Sequence, residues 1–416
     1  MRRILTLAAL MAVCAARGHA QPEIGDDGRV TFTYTDVKAE EVRVKGTDGC
    51  GGEMRRKGDT WTLITKPLTS DLYTYRFVID DEHAITDPGN KAVARDVADT
   101  VSYFCIKGWP GSYYMDNDVP HGTMQRLWYP SSLKGMRQRR LTVYLPPGYD
   151  SDTARTYPVL YLLHGSGGDE EAWPALGRLA QIMDNMIAEG RCRPMVVVMP
   201  NGNADIDAAP GHSPYMDATP QAKNVSSMRG TMEKAFMREV VPFVEKRLRV
   251  SRDRGGRAIA GLSLGGLHTL FITANNPQTF DYVGLFSAQT TNSLGNKSIS
   301  SIQSVADGIR GLAASLPFVS DSWREKMGGA VSGTDDLDTY ADVEAKLVRQ
   351  FKEPPRLYYI AVGKQDFVKK LVDNHRKRMD RLGLEYVYNE SGGGHTWRNW
   401  RRYLLDFLPM LFKDNE

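Results

Sequence analysis

The chain has 416 residues, 41% hydrophobic and 25% charged. That composition excludes a disordered, collagenous or coiled-coil protein and suits two or three domains at roughly 150 residues each. Its 53 basic and 50 acidic side chains give a formal charge of +3, and three of the positives, Arg2, Arg3 and Arg17, lie in the first twenty residues. Without that segment the chain is neutral, so no global field draws it to nucleic acid or an anionic membrane, and neither is expected as a partner.

Residues 1–20 read as an export signal. Arg2-Arg3 supplies the positive start, Ile4 to Ala16 an apolar run, and Gly18-His19-Ala20 the small residues before a cut at Gln21. The run has 13 residues, short of the roughly 20 that a spanning helix needs. Cleavage near Ala20 and a periplasmic or secreted location are therefore expected. Cys14 lacks the setting of a lipoprotein signal. Cys50, Cys105 and Cys192 remain, too few for a disulfide scaffold, although Cys50 and Cys105 fall in one segment and could pair.

Residues 21–106 alternate in the manner of β-strands. Arg29–Thr35, Val42–Lys45, Thr60–Ile64 and Tyr73–Ile79 are rich in β-branched and aromatic residues and are separated by Gly, Asp and Pro clusters, which predicts a small β-sandwich. Residues 107–123, with Trp109-Pro110-Gly111, read as a linker. From Met124 the texture changes. Two β-like runs, Met124–Tyr129 and Arg139–Leu145, precede the continuous apolar runs Pro158–Leu163 and Pro194–Met199, which suit strands buried on both faces of a parallel sheet. Helices are expected at Ala175–Glu189, Thr231–Arg249, Leu264–Asn275 and Val368–Leu382. Further strands are expected at Arg257–Gly261, Tyr282–Phe286, Leu357–Val362 and Glu385–Tyr388. This alternation predicts one α/β domain over residues 124–416, interrupted by an insertion at about 289–355.

Gly261-Leu262-Ser263-Leu264-Gly265 matches G-x-S-x-G. The pattern alone is weak, and a glycine turn packing a helix on a strand would also produce it. Here it follows an apolar strand and opens a helix, the setting of a nucleophile elbow. A serine needs a base and a group that orients the base. His83, His121, His212, His268 and His375 fall in the β region, the linker, a polar loop or helices. His395 follows the last strand through Ser391-Gly392-Gly393-Gly394, at the sheet edge where α/β proteins hold ligands. Asp366, in the loop after Leu357–Val362, is the candidate acid. Asp335, Asp336 and Asp338 lie in the insertion and Asp373 on a helix. His164-Gly165-Ser166-Gly167-Gly168 follows a strand where an oxyanion donor is expected, the Ser166 N–H, with the Leu264 N–H as the second. No Walker, H-E-x-x-H, paired C-x-x-C or EF-hand pattern occurs, so neither cofactor nor metal is implied.

With these residues placed, the region from Tyr157 onward resembles carbohydrate esterase family one, the feruloyl and acetylxylan esterases related to esterase D. The matching runs are Tyr157–Gly168 with Trp173, Met199-Pro200-Asn201-Gly202, Gly261–Gly266, Gly363-Lys364-Gln365-Asp366 and Gly392–Trp397. The N-terminal segment resembles an immunoglobulin-like early-set module through Tyr73–Phe77 and Asp87-Pro88-Gly89-Asn90. The resemblance implies an α/β-hydrolase fold and a Ser–His–Asp triad, carried onto Ser263, His395 and Asp366. It also implies esterified plant polysaccharide as substrate, xylan above all, with Trp173 and Trp397 as candidate substrate contacts. The 103 positions from Ser263 to Asp366 exceed what compact members need, so the insertion is expected to form a lid or substrate wall. A siderophore esterase or small acyl esterase of the same fold stays open, as does a catalytically inactive carbohydrate-binding protein. The export signal argues against a cytosolic S-formylglutathione hydrolase.

Overall fold

The computed structural model describes residues 22–97, 99–133, 136–213, 230–288, 290 and 337–413. The expected export signal and residues 291–336 of the insertion lie outside them. The chain forms two compact units. One takes residues up to Thr69, Tyr73–Val93 and Val101–Ile106, and the other takes Ser70–Leu72, Ala94–Thr100 and the chain from Lys107.

The first ten strands are β1 (Glu23–Ile24), β2 (Val30–Thr35), β3 (Val42–Gly46), β4 (Gly52–Glu53), β5 (Arg55–Lys57), β6 (Thr60–Ile64), β7 (Leu72–Ile79), β8 (His83–Ile85), β9 (Val93–Asp96) and β10 (Asp99–Cys105), of which Leu72, Ala94–Asp96 and Asp99–Thr100 are assigned to the second unit and the rest to the first. They make one sheet in the order β1-β2-β6-β5 and a second in the order β4-β3-β7-β10-β9, with β8 beside β7. Alternation decides the faces: Val30 and Phe32 of β2 and Val42 and Val44 of β3 are buried, with more exposed residues between them. Phe32 meets Tyr75 edge to face at 4.8 Å within the core. Asp87-Pro88-Gly89-Asn90 is a bonded turn, in which the Tyr75 hydroxyl donates to Asp87 Oδ2 at 2.6 Å and Asn90 Nδ2 donates to the Tyr103 carbonyl at 2.9 Å. Cys50 and Cys105 are not joined by a disulfide, and burial pushes the Cys50 thiol up to about 12.

The second unit is built on an eight-stranded sheet. Its strands are β11 (Thr123–Pro130), β12 (Gln138–Leu145), β13 (Val159–Leu163), β14 (Val196–Pro200), β15 (Arg257–Leu262), β16 (Tyr282–Phe286), β17 (Leu357–Gly363) and β18 (Val387–Ser391), ordered β11-β12-β14-β13-β15-β16-β17-β18. The β11–β12 and β12–β14 pairs are antiparallel, and every pair from β14 to β18 is parallel. Every residue of β13, β14, β16 and β17 is buried, as continuous apolar runs in a two-faced sheet require. The helices are α1 (Ala172–Ala175), α2 (Leu179–Ala188), α3 (Thr231–Ala235), α4 (Val241–Arg247), α5 (Leu264–Asn275), α6 (Val343–Gln350), α7 (Lys369–Arg381) and α8 (Trp397–Phe407). On the stripe expected between Thr231 and Arg249, Phe236, Val240 and Val244 are buried against Val159 and Tyr161, with Phe243 and Leu248 at its margin. The expected 175–189 helix is broken at Gly177-Arg178, where a Cβ on Gly177 would come within 2.5 Å of Trp173 and Arg178 takes φ +53°.

Two further differences have physical causes. The stretch 107–123, expected to be a linker from its Gly and Pro content, is packed. Tyr114 is fully buried, Arg178 Nε donates to its carbonyl at 2.9 Å, and the Arg401 guanidinium lies 4.8 Å from its ring. The last strand begins two residues later than its apolar pattern suggests. Its polar half is satisfied in place: Asn389 donates to Tyr359 and Asp406, Ser391 meets the Tyr403 hydroxyl, and Glu390 pairs with Lys369. Among the described residues no helix is long and apolar enough to cross a membrane.

Two histidines of this unit, His164 and His375, are held neutral by burial, with pKa values lowered to about 4 and about 3. The unfolded chain takes up these protons near pH 6.5 and the folded chain does not, so acid favours unfolding. Each contributes about 2 kcal/mol of lost stability between pH 6.5 and 5, at about 1.36 kcal/mol per unit. Urea unfolding at pH 7 and pH 5 should therefore show a stability drop that shrinks by about 2 kcal/mol in His375→Leu; an unchanged drop would contradict a buried neutral His375.

Candidate active site

Four loops at the C-terminal edge of the parallel strands carry the candidate residues: 164–168 after β13, Ser263 after β15, Asp366 after β17 and His395 after β18. Ser263 sits between β15 and α5 with φ +53° and ψ −115°, a conformation that costs on the order of 1–3 kcal/mol for a residue with a side chain. Close packing holds it there. A Cβ on Gly261 would lie 2.3 Å from Gly265, and one on Gly265 would lie 2.4 Å from the His164 carbonyl and 2.7 Å from that of Leu163. The flanking glycines thus let strand, turn and helix approach at backbone distance. The Ser263 N–H donates to the Phe286 carbonyl at 2.9 Å, which ties the turn to the end of β16.

Asp366 and His395 are brought together by register. Gly363 of β17 pairs with Ser391 of β18, and the two residues lie three and four positions beyond that pair. The loops are joined by Lys364 N–H to the Ser391 carbonyl at 2.9 Å and Gln365 N–H to the Gly393 carbonyl at 3.0 Å. Asn399 Nδ2 donates to the Gly394 carbonyl at 2.8 Å. A Cβ on Gly363 would meet the Gly393 oxygen at 2.3 Å, so that approach needs glycine. His395 Nδ1 lies 2.9 Å from Asp366 Oδ1 and 3.1 Å from Oδ2, and Oδ1 also accepts the Val368 N–H at 3.0 Å. Burial pushes the Asp366 carboxyl up, but the charge and hydrogen bond of His395, with the Val368 N–H, together pull it below the usual value. The anion is the form held beside the imidazole.

Ser263 is 4% exposed. Among the described residues no hydrogen bond joins its hydroxyl to His395, a separation common before substrate binds. The Leu264 N–H heads α5, where helix geometry leaves it without an intrahelical acceptor. Ser166 follows Gly165, whose carbonyl accepts the Gly168 N–H at 3.1 Å. Trp173 is corrected as a substrate contact: it is 1% exposed and its indole N–H donates to the Leu163 carbonyl at 3.1 Å, so it has no face to offer a ligand. Trp397 is partly exposed and packs edge-on between Trp173 and Trp400, at 5.4 and 5.2 Å. Asp338 is exposed, within 3.4 Å of Lys234.

Sequence reasoning missed three supports. Phe367 lies 4.3 Å from the His395 ring, centroid to centroid, and Trp400 meets that ring edge-on at 5.0 Å. Glu170 is fully buried and takes hydrogen bonds from Arg140 Nε at 2.6 Å, Asn201 Nδ2 at 2.9 Å and the Ala209 N–H at 2.8 Å. The run Asp169-Glu170-Glu171 reads as a solvated acidic turn, and only its position directly after the glycine loop could have signalled a buried brace. No cluster among the described residues has the donors for a metal.

A mixed sheet with helices on both faces and a serine at a strained strand-to-helix turn define an α/β hydrolase. The chain belongs to the Esterase family, whose model matches residues 132–411. It is 32% identical over 290 residues to an endo-1,4-beta-xylanase/feruloyl esterase of Xylanibacter ruminicola, covering 66% of this chain and 37% of that protein. An esterase of Mycobacterium tuberculosis is 26% identical over 362 residues, covering 82% and 70%. The solved enterobactin esterase of Shigella flexneri shares the fold, with a TM-score of 0.57 at 15% identity over 92% of each chain.

Gly265→Ala should destabilise the folded protein by about 2 kcal/mol or more, because the carbonyls it would meet belong to backbone and cannot rotate away. Gly392→Ala, which meets nothing within 4 Å, is the control. Equal stabilities in denaturant titrations would contradict the packing account of the elbow.

Proposed function

We propose that this chain is an exported serine carboxylic ester hydrolase that removes feruloyl or acetyl groups from plant cell-wall xylan. The observation that carries the chemistry is Ser263 held at positive φ on the sheet edge where the Asp366–His395 pair also lies. In this reading Ser263 Oγ attacks the ester carbonyl and His395 Nε2 takes its proton. Asp366 fixes the proton on His395 Nδ1 and stabilises the imidazolium. The Ser166 and Leu264 N–H groups receive the oxyanion, and His395 returns its proton to the departing alcohol. Water, activated by the same imidazole, then releases the acid and frees Ser263. Support for the substrate comes from the xylanase/feruloyl esterase relative and from the partly exposed Trp397 and Phe367 near His395, which offer apolar surface to an aromatic acyl group. Export rests on the segment ending at Ala20.

Ser263→Ala should lower turnover of a small ester by about 10³-fold or more at unchanged thermal stability. Asp366→Asn should cost about 10⁴-fold, as an amide cannot hold the productive tautomer, whereas the exposed Asp338→Asn should be nearly silent. The reverse ranking would move the acid into the insertion.

For the substrate, rates on methyl ferulate and on acetylated xylan should exceed the rate on a catecholate siderophore ester. Turnover confined to the siderophore ester would overturn the xylan reading and leave the esterase chemistry standing.

A further inference from the structure

The Gly165–Ser166 peptide carries one of the two oxyanion donors in this reading, so its orientation matters. A trans peptide is planar, and its C=O and N–H point in opposite directions. Turning it over would replace the Ser166 N–H with the Gly165 carbonyl and present an acceptor to a developing oxyanion. Two hydrogen bonds hold the Gly165 oxygen: the turn bond from Gly168 N–H at 3.1 Å, and a 2.7 Å contact with His164 Nδ1.

The second bond depends on where the imidazole proton sits. Gly202 N–H donates to His164 Nε2 at 2.7 Å. A ring nitrogen that accepts carries no proton, so in the neutral ring the proton is on Nδ1 and is donated to Gly165. The ring is 3% exposed, which leaves little room for competing water. The loop that supplies Gly202 is itself held, since Asn203 N–H donates to Asn201 Oδ1 at 3.0 Å and Asn201 Nδ2 to the buried Glu170 at 2.9 Å.

We propose that His164 is a positioning residue: its Nδ1–H, selected by the Gly202 N–H on the opposite nitrogen, locks the Gly165–Ser166 peptide with the Ser166 N–H toward the reacting carbonyl. This rests on Ser263 as nucleophile and Ser166 as oxyanion donor. His164 touches no substrate atom. It acts through one peptide, and its effect falls on the tetrahedral intermediate, with little effect on the bound ester.

The side chain of His164→Asn can place a donor near the position of Nδ1, whereas that of His164→Gln reaches the position of Nε2 and keeps a partner for Gly202 alone. The Gln variant should lose about 10²–10³-fold in kcat, the usual cost of one oxyanion donor, with KM within about threefold. The Asn variant should stay within about tenfold of wild type. A boronic acid that forms a tetrahedral adduct on serine should weaken in the Gln variant in proportion to kcat, and the product acid should bind as before. Equal losses in both variants, a change confined to KM, or full kcat in the Gln variant would overturn the proposal. Ser263→Ala run alongside separates the two readings: surviving turnover there removes the nucleophile itself, whereas its loss with unaltered His164 variants removes only the positioning role. The 15N shifts of His164 in the wild-type enzyme give a test independent of variant folding. A proton on Nδ1 is expected, and one on Nε2 alone would contradict it.

Discussion

The backbone of Ser263 is the constraint on which the second unit depends. Positive φ at a residue with a side chain persists only where its surroundings leave no alternative. Here β13, β15 and α5 converge on the turn at backbone distance, through Gly261 and Gly265, and the Ser263 N–H is bonded across to β16. The same contacts bring the His164 carbonyl against Gly265, so the loop with the Ser166 N–H and the turn with the Leu264 N–H are positioned by one packing event. A looser turn would move both proposed donors together with Ser263.

The other half of the site is set by strand register, with sequence distance playing little part. Parallel pairing of β17 with β18 puts Gly363 opposite Ser391, and short loops from that pair carry Asp366 and His395 to hydrogen-bond distance. Burying a carboxylate fully would ordinarily favour its neutral form. The imidazole and the Val368 N–H outweigh that here, so the carboxylate stays charged beside the His395 ring. Phe367 and Trp400 enclose the imidazole ring, which limits solvent and restricts the ring to the orientation Asp366 selects.

Much of this was legible in the sequence because hydrophobic runs bounded by Gly or Pro mark buried parallel strands, and β13, β14, β15, β16 and β17 fell close to their apolar patterns. The elbow was legible because close approach demands glycine at fixed spacing. Other features were hidden for identifiable reasons. The stretch around Tyr114 has linker composition, and its burial depends on Arg178 and Arg401, distant in sequence. The start of β18 is hidden because its polar half is satisfied by Tyr359, Asp406 and Tyr403, partners that no local pattern reveals. Trp173 belongs to a motif and stands near the site, yet its burial makes it a packing residue. The hydrogen bonds of Glu170 and of the His164 ring run across loops, which spacing along one chain does not encode.

Direct trapping of the acyl-enzyme tests the central claim most sharply. Rapid acid quench of the enzyme with methyl ferulate, followed by peptide mass spectrometry, should find a feruloyl ester on Ser263 and on no other residue, accumulating when water attack is slowed. An adduct on a different side chain, or turnover with no covalent intermediate under conditions that trap one in other serine esterases, would contradict the account.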